Sequence, residues 1–396
     1  MTIPTSILIL GGGFAGCEAA KKLARARIPD TTIRLMDPKT YFEYHAALYR
    51  FATGKSPLEA CLPYHDIFEG CDIDVVKDSA VHIDLQSRTV EGKSGSHYHY
   101  DILILALGSE TSYFDIHGVA EYSFGMKSAT EALRLKTHVE EVCEKAIGKN
   151  SGKEALLHFV VVGGGASGVE LAAELASFTK VLALKYSLNP SIVHIDLIEA
   201  APRILAFLPE SVSCLAEARL RQLGVNVILN HSLVQEKGGQ IELADASIRT
   251  KTVVWTAGMR GNSLVEKTPG FILDRKGRIE VDDCLQAKGV EHVYVLGDLA
   301  ATKQSGMAQT ALYDGSFVAD VLLAKARSLK TPSYAPREPV YAVPVGPRWA
   351  VVSRNGRVVS GRVGWMLRRS LDLFVFLKLL PFRKALRAFT SLKSST

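Results

Sequence analysis

The stretch ILILGGGFAG at residues 7–16 decides the fold of this chain. Its four leading apolar residues predict a buried strand, and Gly11, Gly13 and Gly16 have the spacing of a tight turn that opens a helix. Glycines allow such a turn to approach a pyrophosphate closely, while the helix N-terminus supplies N–H groups and a positive dipole end. The stretch therefore predicts one dinucleotide-binding site.

The same arrangement returns 152 residues later as FVVVGGGASG at residues 159–168. In each copy a second predicted strand ends in an acid, Asp37 after the first turn and Glu199 after the second. An acid at this place accepts a hydrogen bond from a ribose hydroxyl, although a solvated acid at a strand end has the same pattern. Two dinucleotides in one protein indicate electron transfer between them. The glycines of the second copy are Gly163, Gly165 and Gly168.

The second acid also predicts which nicotinamide cofactor is bound. A carboxylate at Glu199 accepts a hydrogen bond from the free 2′-hydroxyl of NAD and repels the 2′-phosphate of NADP. The sequence therefore favours NADH. Arg203 lies close enough in sequence to keep NADPH open as an alternative.

Strand and helix patterns alternate along most of the chain, which is typical of doubly wound parallel sheets. Short strands near 73–77, 80–85 and 89–90 predict an antiparallel flap. In the second unit, we expect a helix over 168–178 and a longer connection over 179–191. The predicted fold is α/β, with two tandem Rossmann-like dinucleotide-binding domains, the second inserted in the first, and a small C-terminal domain with amphipathic helices. The expected limits are 1–112 with 272–330, 113–271, and 331–396.

Composition and cysteine spacing exclude several classes of protein. The chain has 396 residues, of which 47% are hydrophobic and 22% charged, as in ordinary folded domains. Its six cysteines form no C-x-x-C or C-x-x-x-x-C pair, so neither a redox disulfide nor a metal site is predicted, and a reducing cytosol is expected. Residues 1–6 are too short and polar for a secretory signal, and no apolar run is long enough to span a bilayer.

The excess positive charge is concentrated in residues 361–396, which carry eight basic residues and one acid. Tryptophan, phenylalanine and leucine are interleaved with these cations, and Pro381 is expected to divide the segment into two helices. Basic amphipathic helices of this kind bind in the interface of an anionic membrane. The alternative is a helix pair that packs on its own domain or forms a homodimer interface. No nucleic-acid-binding motif accompanies the charge.

The whole succession of motifs resembles the two-dinucleotide-binding-domain flavoproteins over residues 1–330. Residues 165–175 (GASGVELAAEL) and 307–311 (MAQTA) are similar to those of type II NADH dehydrogenases. The missing C-x-x-x-x-C and the lack of a cysteine beyond Cys284 argue against disulfide reductases and sulfide:quinone oxidoreductases. Residues 45–48 (HAAL) and 372–375 (DLFV) look more like the apoptosis-inducing-factor-related quinone reductases of the ferroptosis-suppressor type.

The resemblance implies roles for individual residues. FAD would bind the first glycine turn and NAD(H) the second, with Asp298 at the ribityl chain. Glu170 would lie near the flavin–nicotinamide junction and Gln309 in the quinone pocket, although both also fit ordinary helix positions. The second glutamine of the family's quinone motif is replaced by Tyr313, and His45 is a further candidate for contact with the flavin. The other implied cofactor contacts are Phe14, Ala15, Lys39, Val81, Ala106, Gly108, Gly258, Gly297 and Ala308.

The resulting hypothesis is an FAD-dependent NADH:quinone oxidoreductase that does not pump protons. It would be cytoplasmic and lie peripherally on the inner face of the membrane, from which it takes its quinone. Two alternatives stay open: a reductase of a soluble carrier such as rubredoxin or ferredoxin, and an NADH-sensing flavoprotein related to apoptosis-inducing factor.

Overall fold

A computed structural model describes residues 5–149, 151–336 and 338–391. The first part of the chain forms ten strands and three helices, with 3-10 turns at His45–Ala47 and Pro57–Glu59. These elements are β1 (Thr5–Leu10), α1 (Phe14–Ala26), β2 (Thr31–Asp37), β3 (Tyr41–Glu43), α2 (Leu48–Ala52), β4 (Cys61–Pro63), α3 (Tyr64–Ile67), β5 (Asp74–Lys77), β6 (Ala80–Asp84), β7 (Thr89–Gly92), β8 (His97–His99), β9 (Ile102–Leu105) and β10 (Ser109–Thr111).

The middle of the chain repeats this arrangement, and a 3-10 turn at Pro190–Ile192 precedes its second strand. Its elements are α4 (Val119–Tyr122), α5 (Ala129–Lys145), α6 (Lys153–Leu156), β11 (His158–Val162), α7 (Ala166–Lys185), β12 (His194–Glu199), α8 (Glu210–Leu223), β13 (Val225–Leu229), β14 (Leu233–Glu236), β15 (Gln240–Leu243), β16 (Ser247–Arg249), β17 (Thr252–Trp255), β18 (Met259–Gly261) and α9 (Ser263–Glu266).

The last part returns to the first unit and then adds a small sheet and two helices. Its elements are β19 (Val293–Val295), a 3-10 turn at Gly297–Leu299, α10 (Ala308–Ala326), β20 (Tyr341–Pro344), β21 (Ala350–Arg354), β22 (Arg357–Ser360), α11 (Gly361–Leu379) and α12 (Phe382–Thr390).

Two parallel sheets form the centres of the two nucleotide-binding units. The first has the strand order β19-β9-β1-β2-β5, and the second has the order β13-β12-β11-β17. In the first sheet Ile9 lies between Leu35 and Ile104, and all three side chains are fully buried. Strands buried on both faces read as continuous apolar runs, which is why the two leading stretches could be identified.

A two-stranded antiparallel ribbon links the two units. It pairs β10 with β18, with Ser109 opposite Gly261 and Thr111 opposite Met259. The chain therefore leaves the first sheet and returns to it along neighbouring strands.

The α/β class, the repeated sheet unit and the C-terminal helices confirm the predicted fold, but three details differ. The strand β5 is the parallel edge of the first sheet, so only β6, β7 and β8 form the antiparallel flap. The helix α7 continues to Lys185, so most of the connection predicted over 179–191 is helical. The strand β22 was not predicted, because the turn before it contains only Asn355 and Gly356.

Acidic residues elsewhere in the chain neutralise part of the positive charge of the C-terminal segment, which the sequence alone did not indicate. Arg368 and Arg369 are buried, Lys378 pairs with Glu18 at 3.0 Å, and Lys384 pairs with Asp66 at 2.6 Å. Exposed basic residues without a recorded ion pair in the described part of this segment are Arg362, Arg383 and Arg387; Lys393 lies outside the described residues. Among the described helices, none combines the length and apolarity that crossing a bilayer requires.

Candidate functional site

The first glycine turn has the geometry that a pyrophosphate site requires. Gly11 has a φ of 101°, and a side chain there would collide with the carbonyl oxygen of Ala106. A side chain at Gly16 would collide with the Gly11 carbonyl, whereas Gly13 faces open space. Asp37, at the end of β2, accepts a hydrogen bond from the backbone N–H of the residue after Gly11 at 2.7 Å. The turn is thus closed on the protein side and open where a phosphate would approach.

The second turn reproduces this geometry. Gly163 has a φ of 111°, Gly168 lies directly against the Gly163 carbonyl, and Gly165 faces open space. Glu199 accepts hydrogen bonds from the backbone N–H groups of Gly164 at 2.5 Å and Ala201 at 2.8 Å. The two acids therefore occupy equivalent places beside their turns.

Arg203 is bound within its own loop. Its guanidinium donates to the carbonyl of Leu208 at 2.8 Å, to the hydroxyl of Ser213 at 2.7 Å and to the carbonyl of Ala206 at 2.5 Å. The Arg203 guanidinium, which could otherwise bind the 2′-phosphate of NADPH, is therefore already engaged by its own loop.

Asp298 lies at the entrance of the first site. It follows β19 in a 3-10 turn, and one of its carboxylate oxygens accepts a hydrogen bond from the Ser109 hydroxyl at 2.9 Å. Gly297, at a φ of 66°, donates its N–H to the buried carboxylate of Asp314 at 3.0 Å. Burial raises the pKa of Asp314 to about 6, although the Tyr334 hydroxyl and the Gly297 N–H stabilise its charged form. The hydrogen bond between Gly297 and Asp314 therefore holds the Gly297–Asp298 turn in place.

Other predicted cofactor contacts of the first site lie in different surroundings. Phe14 packs edge-to-face on Phe42 with ring centroids 4.9 Å apart, so its side chain belongs to the core. Ala15 is buried beneath Gly297, and Ala308 begins α10. These residues can meet a ligand through the backbone alone.

Four further predicted contacts are Lys39, Val81, Gly258 and Gly108. The ammonium of Lys39 pairs with Glu43 at 2.6 Å. Val81 is exposed at the irregularity of β6, and Gly258 lies against the exposed ring of Phe114 in the second unit. Gly108, at a φ of 70°, turns the chain from β9 into the ribbon.

Glu170 is partly buried on α7, the helix that packs against α2 of the first unit. Burial raises the pKa of its carboxyl to about 8, against the opposing influence of Arg368 and Arg50. Tyr49 on α2 lies near the same carboxyl, and burial raises its pKa as well. A carboxyl of this kind holds a proton at neutral pH, which is typical of functional sites.

A cluster of buried charges joins α11 to the first unit. Asp372 is fully buried and accepts from Arg50 at 3.1 Å and Arg369 at 3.0 Å, while Arg368 and the Tyr44 hydroxyl bind its other oxygen. Although burial opposes ionisation, the guanidinium groups of Arg368 and Arg50 hold the pKa of Asp372 well below its usual range. Below, "the arginine cluster" means these five residues with Glu59.

The side chain of Gln309 is committed to the linker that precedes β20. Its amide donates to the Val340 carbonyl at 2.8 Å and accepts from the Val340 N–H at 3.2 Å. Tyr313 accepts a hydrogen bond from the Ala335 N–H at 3.2 Å and packs on the ring of Tyr334. The two positions compared with the family's quinone motif therefore both contact the segment that precedes β20.

Sequence reasoning missed two residues near the first glycine turn. Tyr64 donates to the Gly12 carbonyl at 3.0 Å, and Lys127 donates to the Ser109 hydroxyl at 2.8 Å. Both lie far along the chain from the glycine turn, so no local pattern pointed to them. His45, which the sequence offered as a candidate, has its ring nitrogen 3.1 Å from the Lys127 carbonyl.

Comparison with known proteins identifies the relationship that this geometry suggests. Residues 5–315 match the family described as pyridine nucleotide-disulphide oxidoreductase. The chain belongs to this family. Its six cysteines are all free in the structure, so the family's disulfide chemistry has no counterpart among the described residues of this member.

Curated proteins similar to this chain include type II NADH:quinone oxidoreductases. The type II NADH:quinone oxidoreductase of Mycobacterium tuberculosis is 32% identical and covers 93% of this chain and 83% of that protein. The enzyme of the same name from Staphylococcus aureus is 27% identical, covering 96% and 98%. The solved structure of NDH2 from Plasmodium falciparum in complex with NADH has a TM-score of 0.89 at 16% identity and covers 98% of both chains, which shows a shared fold. The expected resemblance to type II NADH dehydrogenases is confirmed.

As a member of this family, the protein uses FAD and NAD(H). The residues present fit both cofactors, because each glycine turn faces open space at its middle glycine, Gly13 or Gly165, and is closed by backbone at its other two glycines. Asp298 distinguishes the first unit from the second, since it adds a carboxylate that follows β19 and accepts a hydrogen bond from Ser109.

Proposed function

We propose that the protein is an FAD-dependent NADH:quinone oxidoreductase. The observation that carries this conclusion is the pair of equivalent glycine turns, each with an acid bound to its second residue, in a chain without a redox cysteine pair. FAD, when bound, would supply the redox chemistry, which takes two electrons from NADH and passes them to a quinone. The similar proteins from Mycobacterium tuberculosis and Staphylococcus aureus are named for this reaction.

The second site is suited to NADH rather than NADPH. Glu199 presents its carboxylate beside the Gly163 turn, and Arg203 is engaged by the carbonyl and hydroxyl groups of its own loop. A 2′-phosphate would therefore meet a negative charge without a described arginine free to compensate it.

Glu170 is suited to supply a proton to the quinone. The overall reaction, NADH + H⁺ + quinone giving NAD⁺ + quinol, takes one proton from the surroundings for each hydride that NADH provides. The Glu170 carboxyl is protonated at neutral pH and lies beside Arg50 and Arg368. We infer that the surroundings of Glu170, where α7 packs against α2, receive the quinone head group.

The outer face of α11 and α12 is suited to a membrane surface. Phe374 is 61% exposed and Phe382 is 69% exposed, and Arg362, Arg383 and Arg387 project from the same helices. An exposed apolar face of this size rimmed by cations favours the interface of an anionic bilayer. We propose peripheral attachment on the cytoplasmic side, where a membrane quinone is within reach. The remaining exposed apolar residues of this face are Val363, Met366, Leu367, Leu377 and Leu386.

A spectrum of the purified protein tests the core of this proposal. We expect a bound yellow flavin that NADH bleaches under anaerobic conditions and that a quinone recolours. A flavin that NADH bleaches but only a soluble iron–sulfur or rubredoxin carrier recolours would contradict the quinone assignment. Absence of a bound flavin after reconstitution with FAD would contradict the proposal as a whole.

A further inference from the structure

Lys127 belongs to the segment between the ribbon and α5, yet its side chain reaches the FAD site. The ammonium group donates a hydrogen bond to the Ser109 hydroxyl at 2.8 Å. The same hydroxyl donates to the carboxylate of Asp298 at 2.9 Å. A continuous hydrogen-bonded chain therefore runs from a cation of the inserted segment to the acid at the entrance of the first site.

The backbone around Lys127 is held on both sides, so the direction of its side chain is defined. The N–H groups of Lys127 and Ser128 both donate to Glu131, at 2.6 and 3.0 Å, in the capping box of α5. The N–H of Ala129 donates to the buried carboxylate of Glu43 at 3.0 Å. The α5 N-terminus is thus docked on the first unit.

The other charged and titratable groups around this place do not substitute for Lys127. Lys39 is paired with Glu43. Burial and the Lys127 charge lower the pKa of His45, so this ring carries a positive charge less readily than an ordinary histidine. Burial also lowers the pKa of Lys127, while Asp298 and Glu131 act in the opposite direction. Among the described residues, Lys127 is therefore the cation linked to Asp298.

We propose that Lys127 is a positioning residue of the FAD site, which orients Asp298 through Ser109 and places a positive charge beside the flavin. This inference rests on the proposed function, since it takes Asp298 as a contact of FAD.

The expected consequence follows from charge balance. Reduction of a flavin by two electrons with uptake of one proton adds one negative charge to it. A cation held nearby stabilises that charge and so raises the reduction potential. The low polarity of a buried site strengthens the effect.

The experiment compares four variants of the full chain: Lys127→Met, Lys127→Arg, Ser109→Ala and Lys145→Met. Two quantities are measured for each: the FAD dissociation constant of the reconstituted apoprotein, and the two-electron potential of the bound flavin against a reference dye. Lys145→Met is the matched control, because Lys145 is an exposed cation at the far end of α5, about 24 Å away at 1.5 Å per residue.

We expect Lys127→Met to weaken FAD binding at least tenfold and to lower the potential by about 30–60 mV, a ten- to hundredfold change in the redox equilibrium. Lys127→Arg retains the charge and restores most of the potential. Ser109→Ala weakens FAD binding but changes the potential less, because the ammonium remains. Lys145→Met changes neither quantity.

An unchanged potential and FAD affinity in Lys127→Met would overturn the inference, as would an equal shift in Lys145→Met. If Lys127→Met does not fold, an unchanged FAD affinity in Ser109→Ala decides against it. A wild-type protein that binds no FAD contradicts the proposed function instead, so the two failures are distinguishable.

Discussion

Glu199 is held by two backbone N–H groups, and this fixes the charge that an incoming nicotinamide cofactor meets. Because both bonds come from Gly164 and Ala201, the carboxylate cannot turn away from the ribose position without losing them. Single residues of this kind determine cofactor choice, whereas the glycines beside them only make room.

Replacing Glu199 with alanine should relax the choice between NADH and NADPH. We expect the ratio of kcat/KM for NADH to kcat/KM for NADPH to fall at least tenfold, which corresponds to about 1.4 kcal/mol. Steady-state kinetics with both cofactors measure it. Glu217→Ala, a surface change in the same unit, is the control, and an unchanged ratio in Glu199→Ala would sink the assignment.

Glu170→Gln should remove a titration from the quinone reaction. In the wild type, the rate with a water-soluble quinone is expected to decrease as the pH rises through about 8, because the carboxyl loses its proton there. The amide cannot titrate, so the variant should have a lower rate and no such limb. A limb near pH 8 that persists in Glu170→Gln would assign the titration to another group.

The same group links stability to pH. The folded protein keeps the Glu170 proton up to about pH 8, whereas the unfolded chain loses it near its ordinary value of 4.5. The folded state therefore binds more protons in this window, and the free energy of unfolding should decrease as the pH rises through it. Denaturant unfolding at pH 5 and 8 should show a smaller decrease in Glu170→Gln.

At the scale of elements, α11 is attached by charge as well as by apolar packing. Phe376 is fully buried against the first unit, and the arginine cluster crosses the same contact. Buried ion pairs of this kind add little net stability but are costly to break, since removing one partner leaves an unpaired charge.

Asp372→Asn should therefore destabilise the protein strongly. Three guanidinium groups contact this carboxylate, and replacing it leaves buried positive charges without their counterion. We expect the free energy of unfolding to fall by about 3–5 kcal/mol. Denaturant unfolding measures it. Asp320→Asn removes a half-exposed pair with Lys22 and should cost less than about 1 kcal/mol. Similar effects of the two substitutions would show that the arginine cluster does not hold α11.

At the scale of the whole molecule, the exposed face of α11 and α12 defines the side of the protein that we expect to meet a membrane. The aromatic residues Phe374 and Phe382 project outward, while Lys378 and Lys384 are bound to acids of the first unit. The cations left for a membrane are fewer than the sequence suggests, so apolar contact carries more of the expected attachment.

The double variant Phe374→Glu/Phe382→Glu should release the protein from membranes. We expect binding to vesicles of anionic and zwitterionic phospholipid to fall at least tenfold in a sedimentation assay, while the flavin spectrum stays unchanged. Leu133→Glu, at an exposed leucine of α5, is the control. Undiminished vesicle binding by the double variant would exclude this face as the attachment site.

How much the sequence could predict depended on the separation of the interacting residues. Gly11, Gly16 and Asp37 form a local motif, so the first turn was predictable from spacing alone. Contacts such as Lys127 with Ser109 and Gln309 with Val340 join segments that no local pattern relates. The function could be predicted because the glycine turns carry it, whereas the hydrogen bonds of Gln309 could not, because its partner Val340 lies in an irregular linker.

The ribbon of β10 and β18 makes the inserted unit separable in principle. Thr111 and Met259 lie opposite each other, so a short turn between them would convert the ribbon into a simple hairpin and leave the first sheet continuous. Such a shortened chain would keep the Gly11 turn and Asp298 but lose Lys127. Excision of the segment between Thr111 and Met259 would therefore let flavin binding by the first unit be measured without the second.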